Sequence, residues 1–452
     1  MNITFVSPCG MLGYGYPLAS LEAAMKYKPD FIGVDCGSTD PGPYYLGTGK
    51  SFVHPTQLKR DLSPLLLASK KAGIPLIIGT AGGSGSKKNV EFFMNILQEA
   101  VREQKLSFKV AVIDSEIDKS IVNEALKQGR ISPCGFSHEL SRDDIEDADC
   151  IVAQMGTEPI AQALRGGAEI IIAGRCCDTA IFAAMPIMKG FDPGLALHAA
   201  KIAECGTLCA VPAGANDTLV CMIESESFSV VPANAEKICT PQTVAAHSLY
   251  EQPDPNCFYE PEGKIDLSDC EFSSDGERAV EVRGTKLIPP EKNTIKLEGT
   301  RLCGYRSITI AGIRDQRCIE NIDVIEKSVR EAVKQNLSSK ISPDDYSLRF
   351  LRYGMDGVMG RLEASEEKPY EVGLLIEAVA PSQAQADMVI GLARATCLHQ
   401  HFSGRKTTAG NLAFPFSPSD ISCGQVWEFS VYHLMEIDDE KSLFPITIQE
   451  IN

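Results

Sequence analysis

Leu76-Ile77-Ile78-Gly79-Thr80-Ala81-Gly82-Gly83-Ser84-Gly85-Ser86 is the stretch on which the fold turns. An apolar run leads straight into a glycine-rich turn. A helical pattern with Phe93, Ile96, Leu97 and Val101 on one face then starts near Asn89. A strand too uniformly apolar to be half exposed, followed at once by an amphipathic helix, is the repeating unit of a parallel sheet covered on both faces. The same alternation extends to either side. Strands are expected at 3–6, 31–35, 76–79, 110–113, 151–153 and 170–173, with helical patterns carrying Leu18, Leu21 and Met25, then Leu58, Leu62 and Leu65. This predicts a doubly wound, mostly parallel α/β sheet over residues 1–206. Ligands of such sheets bind beyond the carboxyl ends of the strands, which fixes where to search.

The pattern then changes twice. Over 207–302 short apolar runs alternate with turn-rich stretches such as Gln252-Pro253-Asp254-Pro255-Asn256, the mark of an irregular, β-rich, mostly antiparallel insert or linking region. Over 303–452 the expected order is β-α-β-β-α-β, a ferredoxin-like α+β domain, with a long loop at 404–422 before the last strand.

Composition narrows the class. The chain has 452 residues, 44% of them hydrophobic, and a net charge of −17 with a pI near 5.0, which argues against a nucleic-acid or anionic-membrane partner. No run approaches the length of a membrane span, and residues 1–8 read as a strand rather than a signal peptide. Sixteen scattered cysteines without a Cys-x-x-Cys pair read as reduced thiols, so a cytoplasmic setting is expected.

Four strand ends carry residues suited to chemistry. The turn Thr80, Gly82, Gly83, Ser84, Gly85 offers backbone N–H groups and a helix start, an anion cradle for a phosphate or carboxylate; the alternative is a flexible turn. Asp35, on the loop Asp35-Cys36-Gly37-Ser38-Thr39-Asp40, can serve as a general base if burial raises its pKa, or can simply shape a turn. Arg175 and Asp178, in Ala173-Gly174-Arg175-Cys176-Cys177-Asp178-Thr179, offer a two-pronged anion anchor and a second carboxylate, the latter also suited to capping a helix. Arg175 is expected to be exposed, and a cysteine beside it to have a lowered pKa. Gly10-Met11-Leu12-Gly13-Tyr14-Gly15, with Asp35 twenty residues on, is similar to a dinucleotide fingerprint, but its glycine order differs, so no cofactor is assigned. No metal site is assigned either. His247 reads as a satisfied structural histidine.

The turn at Gly82, the Ala173-Gly174-Arg175-x-x-Asp178 loop, Glu204-Cys205-Gly206 and His247-x-Leu249-Tyr250-Glu251 together resemble the acyclic terpene utilisation family, A component, over nearly the full length. The resemblance implies a neighbourhood in the bacterial breakdown of citronellol and geraniol, where a lyase step on a branched 3-hydroxyacyl-CoA has been suggested. The expectation is a lyase-type enzyme of carbon catabolism acting on a small anionic carboxylate or an acyl-CoA thioester. Gly82–Gly85 would be its anchor, Asp35 or Asp178 its base and Arg175 its electrostatic stabiliser. The competing expectation is a non-catalytic ligand-binding or scaffold subunit of a two-component enzyme. A homo-oligomer is left open.

Overall fold

The computed structural model describes residues 2–365, 367–406 and 409–452. It divides into two units, Met1–Arg301 with Phe429–Asn452, and Leu302–Glu428. In the first, strands and helices alternate as β1 (Ile3–Ser7), α1 (Leu18–Ala24), β2 (Phe31–Gly37), α2 (Pro55–Ala72), β3 (Leu76–Gly83), α3 (Lys87–Gln104), β4 (Phe108–Ile113), α4 (Lys119–Lys127), β5 (Cys150–Gln154), α5 (Thr157–Arg165), β6 (Ile170–Ala173), α6 (Asp178–Met188) and α7 (Pro193–Ala203). Strands β1, β2, β3, β6 and β4 lie side by side and parallel.

Both faces of this sheet are covered, and the side-chain period of two assigns each residue its face. Phe5, Phe31, Ile77 and Ile171 join one apolar core with Phe182 of α6 and Leu197 of α7. Their neighbours Val6, Ile32, Ile78 and Ile172 join the other, with Leu62 of α2 and Leu97 of α3.

The chain continues through β7 (Leu219–Ile223), β8 (Ser227–Pro232), α8 (Pro241–Ser248), β9 (Cys257–Glu260), β10 (Glu271–Asp275), β11 (Ala279–Arg283) and β12 (Thr294–Ile313). Strands β7, β8, β11 and β10 extend the parallel strands beyond β1 as an antiparallel run, and the strand Ile446–Ile451 pairs antiparallel with β4 at the other edge. The result is a mixed sheet, ten-stranded among the described residues. The sequence places 151–153 in this sheet, but β5 instead pairs antiparallel with Lys296–Thr300 of β12. The doubly covered place between β3 and β4 goes to β6, which is apolar and buried at every position, whereas Cys150 and Gln154 at the ends of β5 stay partly exposed.

One packing detail positions the site. Helix α6 lies against β2 and β3 where they carry glycine: a Cβ on Gly79 would stand 2.3 Å from Ile181, and one on Gly33 2.7 Å from Phe182. The helix therefore sits directly on backbone, and its N-terminus, with Cys177 and Asp178, is held above the carboxyl ends of β2, β3 and β6.

In the second unit, β12 runs on to Ile313 and is followed by α9 (Ile322–Leu337), β13 (Ser347–Tyr353), β14 (Val372–Ala380), α10 (Gln383–His399) and β15 (Asp420–Glu436). Strand β14 pairs antiparallel with both β13 and β12, and β12 is hydrogen-bonded on its other side to β15. Val329 and Val333 of α9 and Val389 and Ile390 of α10 share a core with Leu374 and Ile376 of β14. The loop expected at 404–422 is tied to β12 by paired hydrogen bonds between Gly312 and Ala413; residues 407 and 408 lie outside the described residues.

Because Ile181 has no room to retreat, Gly79→Ala should destabilise the protein by about 1–3 kcal/mol through overpacking. Urea denaturation followed by circular dichroism measures this; an unchanged midpoint would mean that α6 is free to lift off the sheet.

Candidate functional site

Arg175 leaves β6 at the carboxyl edge, as expected, but it is not exposed. Only 3% of it meets solvent, and Glu298 of β12, fully buried, accepts from its Nε at 2.8 Å. Its remaining donors go to Thr39, Thr80 and the carbonyl of Cys176. The Arg175 backbone N–H donates to Ser115, whose hydroxyl donates to the Gly85 carbonyl. Glu298 also holds Lys296 at 2.8 Å and accepts from the Thr39 hydroxyl. The two cations keep its carboxyl down at about 2 despite full burial. The guanidinium is thus a strut joining the ends of β2, β3 and β6 to β12, with no prong left for a substrate.

Around this strut stand carboxylates with no such compensation. Asp35 is 4% exposed; its Oδ2 accepts from the Gly37 N–H, and its Oδ1 is buried with no partner. Asp178 is the first residue of α6 rather than its cap, a place taken by Cys177, and its Oδ1 is also buried without a partner. The carboxyl of Asp35 is pushed well up by burial, then by the charge of Asp178, against a downward pull from Arg175. Burial raises Asp178 as well, against Arg175 and Lys201. In this buried setting the charge of Asp178 adds to the cost of ionising Asp35, so the protonated form of Asp35 is favoured. The same surroundings reverse the expectation for the thiols. Burial and the charges of Asp35 and Asp178 push Cys176 up to about 12, and burial with Glu260 and Asp178 raises Cys177.

The glycine-rich turn is buried and closed on the protein itself. A Cβ on Gly82 would meet the Asn89 carbonyl oxygen at 2.0 Å, and one on Gly85 the Arg175 nitrogen at 2.1 Å. The Asn89 side chain bridges the Ser84 N–H, the Ser86 hydroxyl and the Gly82 carbonyl, while Glu116 accepts from the Lys87 N–H at the start of α3. The anion at this helix start is the protein's own carboxylate. The close approaches of this turn are those of Gly82 to Asn89 and of Gly85 to Arg175, while the Gly83 carbonyl is approached by Gly37, and Thr80 serves as a partner of Arg175 and Cys176. The Gly10–Gly15 loop is closed in the same way, because Asp61 accepts from the N–H groups of Gly13 and Gly15 at 2.9 and 2.8 Å. A carboxylate in that place repels a pyrophosphate.

Sequence reasoning missed a second polar cluster beside Asp178. Lys201, 7% exposed, pairs with Glu204 at 2.6 Å on α7 and its C-cap. Glu260 of β9 accepts from the Cys177 thiol at 2.8 Å and from the Thr179 hydroxyl at 2.7 Å. Burial pushes Glu204 up to about 8 and Glu260 up to about 7. His247 is 7% exposed, stacks on Tyr250 and leaves its buried Nε2 without a partner, so it is not the satisfied histidine expected; His198, held between Thr285 and Ser248, is. A signal for Lys201 was present: α7 is apolar almost all round, and a lysine in such a helix must be buried and paired. Among the described residues no three His, Cys, Asp or Glu side chains converge as a metal site.

Residues 48–219 and 220–418 match the sequence family described as acyclic terpene utilisation family protein AtuA. The chain belongs to that family. No curated protein and no solved structure matches it. In this AtuA-family chain both matched segments contribute to the cluster, the first through Asp35's neighbours Arg175 and Asp178, the second through Glu260 and Glu298.

Breaking a buried ion pair by altering one partner typically costs about 3–5 kcal/mol. Lysine keeps the charge of Arg175 but cannot span Glu298, Thr39 and Thr80 together. Arg175→Lys should therefore lower the melting temperature markedly, by about 4 °C or more. Differential scanning calorimetry decides; an unmoved transition would return Arg175 to the role of a free anion anchor.

Proposed function

We propose that the protein is a lyase-type acid–base enzyme of carbon metabolism, and that the part of the substrate that reacts is neutral, a thioester or comparable carbonyl, rather than a free carboxylate. The observation that carries this reading is the pair Asp35 and Asp178, each with a buried oxygen that no group among the described residues satisfies. Cleaving a C–C or C–O bond beside a carbonyl needs one group to take a proton and another to give one. Two carboxyls sharing a proton supply both, the ionised partner as base and the protonated partner as acid. The charge balance selects the substrate. Arg175 is held by Glu298 and Lys201 by Glu204, so Asp35, Asp178 and Glu260 meet the ligand without a free cation among them. A second negative charge would be repelled there, whereas a thioester carbonyl would not.

Two further readings accompany it. The unit Leu302–Glu428 is read as ferredoxin-like, supported by its chain order and by the neighbour order β13-β14-β12-β15. A cytoplasmic setting is supported by the unbridged cysteines, which an oxidising compartment tends to pair.

The test is a panel of acyl-CoA thioesters set against di- and tricarboxylates, with products followed by mass spectrometry. Turnover of a thioester is expected, falling about 100-fold or more in Asp35→Asn and in Asp178→Asn, the range for losing a positioned acid or base. Turnover confined to free carboxylates would refute the neutral-substrate reading, and turnover indifferent to both substitutions would favour a scaffold role.

The same substitutions should stabilise the fold. An acid whose pKa is raised on folding binds its proton more tightly in the native state, so the stability it confers falls as pH rises above the unfolded value near 4. Asp35→Asn removes that dependence. Its melting temperature should match the wild type near pH 4 and exceed it increasingly towards pH 8. A variant less stable than wild type at pH 8 would show that the ionised carboxylate has a partner.

A further inference from the structure

The Cys177–Glu260 contact joins helix α6 to strand β9 at the edge of the shared-proton pair, and the acid–base reading above makes no use of it. Behind it, Arg175, Cys176 and Thr179 are buried; Cys177, Asp178 and Glu260 are partly exposed. Among these side chains, the last three are the most open to a solute. We propose that Cys177 is a second proton donor to the substrate in this site, and that Glu260 is the group that restores its proton. The proposal rests on the acid–base reading and adds to it the residue that protonates the developing carbanion or leaving oxygen.

The geometry carries the assignment. The thiol donates to Glu260 Oε2 at 2.8 Å, and the Thr179 hydroxyl donates to the same oxygen at 2.7 Å, which fixes the carboxyl beside the sulfur. The charged groups facing the couple are Asp178 and Glu260 around Cys177, with Glu262 and Lys201 around Glu260. Burial first, and then this excess of carboxylates, hold the sulfur as a thiol. A nucleophilic or metal-binding role needs a thiolate and is disfavoured; a proton donor needs the S–H. Glu260, pushed up to about 7 by burial, carries a proton for part of the time at neutral pH. In the step, the S–H bond breaks as a C–H or O–H bond forms on the substrate. The protonated Glu260 returns its proton to sulfur and is left as the carboxylate. The substrate gains one proton and Glu260 loses one. No oxidant or further reactant enters.

The experiment is alkylation of the full-length folded protein by iodoacetamide between pH 6 and pH 10, read at Cys177 by peptide mass spectrometry. The labelling midpoint of Cys177 should lie above the unfolded thiol's value of about 8.5. In Glu260→Gln, removal of the neighbouring charge should speed labelling at pH 8 about tenfold. A midpoint at or below that of the same protein unfolded in guanidinium overturns the proposal. So does an unchanged rate in Glu260→Gln. If Glu260→Gln does not fold, the comparison of folded with unfolded wild type decides alone. These readouts involve no substrate, so they fail independently of the acid–base reading, whose failure appears in the Asp35→Asn assay. On any thioester that is turned over, Cys177→Ala should lower kcat about 100-fold with KM little changed, and Cys177→Ser, which keeps a donor, should recover part of the loss. Equal activity in all three proteins overturns the donor role.

Discussion

The ion pair between Arg175 and Glu298 is the constraint around which the first unit is arranged. Both partners are out of water, where an unpaired charge is costly, and both are fully engaged: the guanidinium by Glu298, Thr39, Thr80 and a carbonyl, the carboxylate by Arg175, Lys296 and Thr39. Its geometry fixes the ends of β2, β3 and β6 relative to one another and to β12. The loops that hold the candidate chemistry leave from those ends. A pair so completely satisfied offers its neighbours no hydrogen bond, and the pull of Arg175 on Asp35 and Asp178 is outweighed by their burial.

That balance explains the electrostatic character of the site. Buried carboxylates without partners work against folding, and a protein retains them where the strain has a use. Burial shifts Asp35, Asp178, Glu204 and Glu260 in the same direction, upward, and two of them come to rest near neutrality. The result is a set of acids whose protonated forms are favoured by burial, two of them near neutral pH. Burial holds the nearby His247 down at about 4, so it remains a neutral ring.

The parallel core was legible because its strands are apolar on both faces; Phe31-Ile32 and Ile77-Ile78 each send one residue into each core. The antiparallel extension was not. Ser227–Pro232 and Ala279–Arg283 are short and punctuated by turns, and local pattern does not say which sheet such strands join. Asp35, Arg175 and Asp178 stand out in the sequence because they end or follow apolar strands beside turn-forming residues, and the electrostatics link all three. What the sequence could not supply was the partner. Glu298 lies 123 positions from Arg175 in Thr294-Ile295-Lys296-Leu297-Glu298, where the alternation reads as a strand with a solvated charged face. The glycines of 82–85 misled for a related reason: glycine permits close approach, and what approaches here is the chain's own backbone and Asn89.

The contact of α6 with Gly33 and Gly79 has a consequence of a different kind. Where a helix rests on side chains, its height above a sheet can drift as those side chains are exchanged over evolutionary time. Here the side chains of Ile181 and Phe182 rest on the main chain of Gly79 and Gly33, and the spacing between the first turn of α6 and the strand ends holds only while those two positions carry no Cβ. The first turn of α6, with Asp178, is therefore held close to the strand end that carries Asp35. The other wall, where α7, α8 and β9 bring Lys201, His247 and Glu260, is built from side-chain contacts instead, and an exchange there alters the site without lifting the helix.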